Sequence, residues 1–544
     1  MAKEKIKKAT SAGASKSDIW YKVIAIFIAV VLVFGALLAI IKPTGIADYI
    51  TMHTTTAIES ENFKFNNAHL TYMVYYKYNQ EYSTYSQYGY AQSAGFDTSK
   101  PLSQQKYWGS SEKSWLDYFL ESSISDLSKC LVICEEAKAN NVSLTDDELK
   151  DIKDQVNEMK KYAKEQGVSV GQMYGSKGIK ASDIQYIVEL QALASKYAQQ
   201  VVDAFEYSDE EYEKHFGENK NNYLFADYYS YTVTAQYDSK ATDDEKKAAN
   251  EEAKKAAEEI KAAVDGGKDF VDAVYEYEQK LEEEKKKEEA EKNEGKETSA
   301  ETSANSSSTD KKEEEEKTEE EKKQELKDKV LTENGGYTKD DDFSEWLYAE
   351  TAPEVKATKL VESTDSYKVY QVLSLPARHE YNTVNFYAIT LSADNYTATS
   401  TQTSEEVMKE TAAAVQAKID EFNAKSDKTS EAFLAIADEF AEDKYVYASD
   451  FMENIDKDSV DGQLGITGFD DWAFAEDTKA GDVKVFEDEE KGIYAAFFME
   501  GEGMESWKLA VDTDLRNADY DAYYEELAKK HTVTVNEKAT AKID

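Results

Sequence analysis

Apolar and polar positions follow three different patterns along this chain. From Val23 to Ile41 the run VIAIFIAVVLVFGALLAII carries no charge over 19 residues. At about 1.5 Å per residue it would span roughly 28 Å, close to a bilayer core. Between residues 60 and 222 the period is helical. Tyr75, Tyr78, Tyr82 and Tyr85 recur at 3-4-3 spacing. Ile124, Leu127, Leu131 and Cys134 share one face, and Ile184, Ile187, Leu190 and Leu193 another. Thr145 with Glu148, and Ser208 with Glu211, have the spacing of capping boxes that open helices. Further on, helices alternate with β-rich runs: YTVTA (231–235), SYKVYQVLSL (366–375), YAITL (387–391) and KGIYAAFFME (491–500).

The first pattern predicts a transmembrane helix over residues 23–41. Trp20 and Tyr21 border it on one side and Lys42-Pro43 on the other. Lys3, Lys5, Lys7, Lys8, Lys16 and Lys22 precede it against Glu4 and Asp18, so the positive-inside rule puts the N-terminus in the cytoplasm and the bulk outside. The rival is a cleaved signal peptide, with Gly45-Ile46-Ala47 as a small-x-small site. The long apolar run and Lys42 weigh toward a retained anchor. No cysteine follows the span to carry a lipid.

A repeat emerges from the third pattern. FSEWLYAE (343–350) and FDDWAFAE (469–476) match at an offset of 126. YTVTA matches YAITL at 156, the helix starts Thr242/Glu245 and Thr403/Glu406 match at 161, and KDFVDAVYEY (268–277) matches EAFLAIADEF (431–440) at 163. Gly turns follow in ENGGY (333–337) and DGQLG (461–465). The offset falls by 37 (163 minus 126) where residues 280–329 intervene. That segment holds 13 Lys and 19 acids, with Leu281 and Leu326 its only large apolar residues. It reads as a disordered charged insert, or as helical spurs with a flexible tip, because it buries too little to offset its ordering entropy. Each unit runs strand, long helix, second helix, Gly turn, short Trp helix, strand, over about 120 residues without the insert.

Charge narrows the function. The chain has 544 residues and a formal charge of −45, which disfavours nucleic acid and favours solubility and basic clients. Cys130 and Cys134, four apart on a helix, lie too far apart for a relaxed disulfide and read as buried apolar groups. DKDSVDG (456–462) fails as a calcium loop because Val460 falls on a ligand position. No metal set, phosphate loop or nucleophile elbow occurs, and no cofactor is expected.

DGQLGITGF (461–469), FDDWAFAEDTKAGDVK (469–484) and KGIY (491–494) follow the order of the parvulin-type prolyl isomerase domain, which they resemble. The first copy is similar but looser. CEEAKANNVSLTDDELKD (134–151) and LRNADYDAYYEELAKKHTVTV (515–535) resemble the N-terminal chaperone domain and closing segment of the SurA and PrsA foldases. The resemblance implies an α+β fold class: an N-terminal transmembrane helix, a helical SurA/PrsA-type chaperone domain and two parvulin-like α/β domains. The expected boundaries are a basic tail over 1–22, the span over 23–41, the helical domain over 55–222, copy one over 223–378, copy two over 379–510, and a C-terminal helix and strand over 511–544.

For an active parvulin site the resemblance implies a His pair from the first and last strands, plus a Cys or Asp, around the twisted amide. Here YYSYTVTA (228–235) and NFYAITL (385–391) hold no His, and the last-strand position falls on Lys368 and Tyr494. The resemblance therefore implies a membrane-anchored extracytoplasmic chaperone for unfolded or secreted polypeptides, with inactive parvulin domains. An active prolyl isomerase with a remodelled site and a non-catalytic envelope scaffold stay open. Tyr75, Tyr78, Tyr82 and Tyr85 are the client-binding candidates, weighed against the plainer reading that they pack on neighbouring helices.

Overall fold

The structure is a computed structural model. It describes residues 46–543, apart from residues 111, 176–177, 295–316, 352, 392–403, 427, 441–445, 450, 458, 461–465 and 489–492. These form two compact units. One comprises 46–208, 449–451 and 512–543, the other 209–448 and 452–511.

The first unit is mostly helical. Its elements are α1 (Ile46–Thr54), β1 (Thr56–Glu59), β2 (Lys64–Asn66), α2 (Asn67–Gln87), α3 (Trp115–Ala139), α4 (Asp146–Glu165) and α5 (Ala181–Asp203). Thr145 caps α4 in the box with Glu148 that the sequence predicts. Ile152, Val156, Met159 and Ala163, at steps of four, three and four, are the residues α4 buries, and its charged positions face water. Cys130 and Cys134 are free, buried thiols, and Cys134 Sγ donates to the Leu190 carbonyl at 3.2 Å. Residues 512–543 belong to this unit. Strand Thr534–Val535 pairs antiparallel with β1, Ile58 opposite Val535, and β1 pairs on its other edge with β2. The Tyr523 and Tyr197 hydroxyls meet at 2.7 Å, and His531 reaches Glu136 at 2.7 Å.

The second unit contains two sheets of the same design. The first is built from β3 (Phe225–Thr234), β4 (Leu331–Gly336), β5 (Thr358–Glu362) and β6 (Ser366–Val372), in the order β4-β3-β6-β5. The second uses β7 (Asn382–Leu391), β8 (Val446–Ala448), β9 (Met452–Ile455), β10 (Val483–Asp488) and β11 (Ile493–Glu505), in the order β8-β7-β11-β10, with β9 also on β7. Every pairing is antiparallel, and in both sheets the first and last strands of the copy lie side by side.

Alternation along the strands gives each sheet two buried faces. In the first sheet Val233, Tyr367 and Val369 pack under the long helices Asp243–Asp265, Phe270–Glu294 and Glu319–Val330, through Ala257, Ile260, Phe270, Val274, Leu326 and Val330. On the other face Tyr370 and Val372 meet the short helix Asp342–Leu347, which carries Phe343 and Leu347. The second sheet repeats this. Ile389, Ala496 and Phe498 face helices Ser404–Asn423 and Ser430–Asp438, while Phe386, Phe497 and Met499 face Phe469 and Ala473 of the short helix Phe469–Ala473. The two Trp motifs thus form the same short helix on the same side of equivalent sheets.

The charged segment is helical on both flanks, to Glu294 and from Glu319, with Lys323 bridging Asp272 at 2.8 Å. The middle of the expected insert, the basic tail over 1–22 and the turn DGQLG (461–465) lie outside the described residues.

The α+β class stands, but its membrane-spanning part requires correction. Among the described residues no helix is long and apolar enough to cross a membrane. Helix α3, at 25 residues, carries Asp117, Glu121, Asp126, Lys129, Glu135, Glu136 and Lys138, charges that hydrocarbon does not accept. This tells against both the transmembrane fold class and the single-pass localisation with an extracytoplasmic bulk. The run over residues 23–41 lies outside the described residues.

These packing terms rank two substitutions. Phe270 is fully buried, so Phe270→Ala should cost about 3–5 kcal/mol, whereas removing the Thr242 cap by Thr242→Ala should cost about 1 kcal/mol. Urea unfolding of each variant, followed through the second unit's transition, should show that order. Equal shifts would contradict the packing described.

Candidate functional site

Copy one keeps an accessible patch on the sheet face beside its Trp helix. Asp341 caps that helix by accepting the Ser344 N–H at 2.8 Å. The cap sets Phe343 flat against Tyr370, ring centroids 3.7 Å apart, with Tyr228 edge-on at 4.7 Å. Gly335 on β4 is needed here, because a Cβ there would come within 2.4 Å of the Tyr228 ring. Trp346 projects one turn on, half-buried, 5.9 Å from Phe343.

Cross-strand pairing assembles the rest of the face. Lys368 lies opposite Thr232 on one side and Val361 on the other, and Tyr370 lies opposite Ser230 and Lys359. Directly opposed residues point to the same face, so Thr232, Ser230, Lys359, Val361, Lys368 and Tyr370 share one surface. Lys368 Nζ stands 5.0 Å over the Tyr370 ring and Lys359 Nζ 5.8 Å over Trp346. Lys368 is half-buried and Thr232 exposed.

Copy two seals the corresponding face. Ala495, Phe497 and Met499 are buried against Phe469, Val460 and Ile466, with Met452 and Ile455 of β9 packed alongside. Phe469 meets Phe497 at 4.6 Å and Phe386 at 5.1 Å. Trp472 stands 6.0 Å from Phe486, with Lys484 Nζ 5.1 Å over Phe486.

The pairing of Lys368 with Tyr494 as equivalent positions is therefore corrected. Tyr494 is buried among Val415, Ile419 and Phe433, on the helix face, and its hydroxyl donates to Gln416 Oε1 at 3.4 Å. Burial pushes its hydroxyl far above the ordinary phenol range. Lys368 points to the opposite face, where copy two places Ala495 and Phe497.

No histidine lies on a strand of either sheet. His379 stacks on Phe225 at 4.4 Å and bonds Asn334 Oδ1 at 3.0 Å, and His215 bonds the Tyr223 hydroxyl at 2.9 Å. Burial, then nearby Asp341 and Tyr228, push the Tyr370 hydroxyl up to about 12, so it stays protonated at neutral pH. The face offers aromatic surface and the side chains of Lys359 and Lys368. Among the described residues no His, Cys, Asp and Glu group has a metal-holding arrangement.

The four candidate tyrosines of α2 lie inside the first unit. Tyr78 is buried against Phe96 at 5.9 Å and Phe119 at 6.2 Å. Tyr82 meets Phe96 edge-on at 5.6 Å, Tyr85 meets Trp115 at 6.3 Å, and Tyr75 covers Gly175. Their rings pack a core, the plainer of the two readings. Sequence reasoning missed Lys359 and Tyr370. The available signal was strand alternation in TKLVE (358–362) and SYKVYQV (366–372), which sets lysines and aromatics on one side.

A second cluster ties three helices of the first unit. His53 Nε2 meets Asp183 Oδ2 at 3.0 Å, and His69 Nε2 lies 3.9 Å from Asp183 Oδ1. His69 Nδ1 accepts the Asn66 N–H at 3.2 Å, and its ring stacks on Tyr186 at 5.0 Å. Burial pulls His69 down from 6.5 to about 4, opposed by Asp183 and helped by His53. The folded unit thus prefers neutral His69. Stability from this group is complete above about 6.5 and falls as pH drops toward 4, by about 3 kcal/mol in total. Thermal unfolding from pH 7 to 4 should show a steeper loss in wild type than in His69→Gln, and parallel curves would contradict it.

No protein-family model matches the chain, and no curated protein matches it in sequence.

Proposed function

We propose that this chain is a chaperone or foldase that binds unfolded polypeptides, with two parvulin-like modules of which the first binds and the second spaces. The observation that carries this reading is the contrast between the two copies. They share strand order and helix placement, yet one leaves an aromatic and lysine-bearing patch accessible while the other fills the same place with Ala495, Phe497 and Met499. An extended client could lay apolar side chains against Trp346 and Val361, both half-buried and able to lose further surface to water.

Prolyl isomerisation has a barrier of about 18–20 kcal/mol and needs a site that holds the twisted amide better than the planar one. The face of copy one has no histidine and no group poised to exchange a proton near neutral pH. The reading therefore favours holding over turnover. The helical first unit, closed by its own C-terminal strand on β1, supports the likeness to foldase chaperone domains.

The test is a pair of assays on the full chain. The chain should suppress aggregation of a reduced, unfolded protein at near-stoichiometric ratio and leave proline-peptide isomerisation at the uncatalysed rate. Trp346→Ala should weaken suppression several-fold while circular dichroism stays unchanged. Isomerase turnover abolished by Lys368→Ala would overturn the reading in favour of an enzyme, and failure in both assays would favour a scaffold.

A further inference from the structure

We propose that Lys359 and Lys368 form a carboxylate-binding site on the accessible face of copy one, so that this face selects polypeptide segments in which an acidic side chain adjoins an apolar or aromatic one. The proposal rests on the reading of that face as polypeptide-binding and goes on to name the chemistry it selects.

Three observations carry it. The first is register. Lys359 is opposite Tyr370 and Val361 is opposite Lys368, so the two lysines are diagonal neighbours on one face, a separation of about 7–8 Å. The second is charge. In a chain of net charge −45, among the described residues neither lysine is in an ion pair; each ammonium rests on an aromatic ring instead. Acids of the Trp helix and the flanking strands are committed elsewhere, and Asp365, three residues before Lys368, accepts from the Tyr237 hydroxyl at 3.4 Å. Asp341 faces Tyr370 but caps the Trp helix at 2.8 Å, Glu345 accepts from the Tyr337 hydroxyl at 2.5 Å, and Glu362 pairs with Lys254 at 2.7 Å. Two like charges thus sit side by side without a counter-ion, and a carboxylate placed between them would satisfy both.

The third observation is topological. A lysine on an edge strand is a common guard against unwanted strand pairing, and Lys359 on β5 fits that description. Lys368 does not. Strand β6 is interior, hydrogen-bonded to β3 and β5 along its length, and has no edge to guard. Its neighbours on the face, Thr232, Val361 and Tyr370, offer no acid. Lys368 is half-buried as a residue, and the four-carbon stems of both lysines allow the two nitrogens to converge on one carboxylate. The aromatic rings beneath provide the apolar contact that would accompany the charge. On the matching sheet face of copy two, Lys484 on the edge strand β10 stands over Phe486, while Lys457 stands over Tyr381 and Phe474 outside the strands.

The experiment uses the full chain and two fluorescently labelled peptides with blocked ends. They are identical but for one residue, Asp or Asn, next to a phenylalanine. Anisotropy should show the Asp peptide binding about fivefold more tightly at low salt, with the preference shrinking as salt rises. The double variant Lys359→Gln with Lys368→Gln should bind both peptides equally, at the affinity of the Asn peptide for wild type. Lys484→Gln should leave the preference intact. Equal binding of the two peptides to wild type would overturn the proposal while leaving the face a polypeptide site. Binding of neither peptide would overturn that reading together with the proposal.

Discussion

The second unit depends on one constraint, the antiparallel pairing of the first strand of each copy with its last. With β3 against β6 and β7 against β11, every side chain on these strands is committed to one of two faces. Long helices cover one face and the Trp helix covers the other, so both sides must be apolar where they are covered. Val233, Val369, Ile389 and Phe498 meet the first demand, and Val372, Tyr370, Phe386 and Phe497 the second. Polar residues survive on the Trp-helix side only where cover is missing, which in copy one is around Lys368.

The same scaffold then supports two outcomes. Copy two brings β9 and the segment around Val460 and Ile466 over its sheet, and the strand residues beneath are Ala, Phe and Met. In copy one the cover reaches Tyr370 and Trp346 and stops, leaving Thr232, Lys359, Val361 and Lys368 on accessible surface. A duplicated fold can keep its packing rules while its copies divide the work. Electrostatics sharpens the division. On a chain of net charge −45, neither Lys359 nor Lys368 is in an ion pair among the described residues, and each stands over an aromatic ring.

Much of this fold was legible in the sequence. Apolar steps such as Ile152, Val156 and Met159 mark helix faces directly, and the boxes at Thr145 and Thr242 mark helix starts, because both signals depend on neighbours within one or two turns. The repeat was legible through Phe343/Phe469 and Trp346/Trp472, which pack equivalent positions. The site was harder to read. Placing the family's His position on each last strand made Tyr494 the counterpart of Lys368, and a slip by an odd number of residues places a side chain on the opposite face. The tyrosines of α2 looked like a stripe, but whether a stripe meets solvent or another helix depends on Phe96, Trp115 and Phe119, which lie far along the chain. Lys359 could not be connected to Lys368 until β5 and β6 were paired. The membrane-spanning reading rested on a stretch outside the described residues and finds no support in the helices that are described.

Hydrogen–deuterium exchange of the full chain, with and without an unfolded client polypeptide, tests the central claim most directly. The account predicts new protection over residues 342–372, on the Trp helix, β5 and β6 of copy one, and none over residues 483–505 of copy two. Protection confined to copy two, or to the helical unit alone, would contradict it.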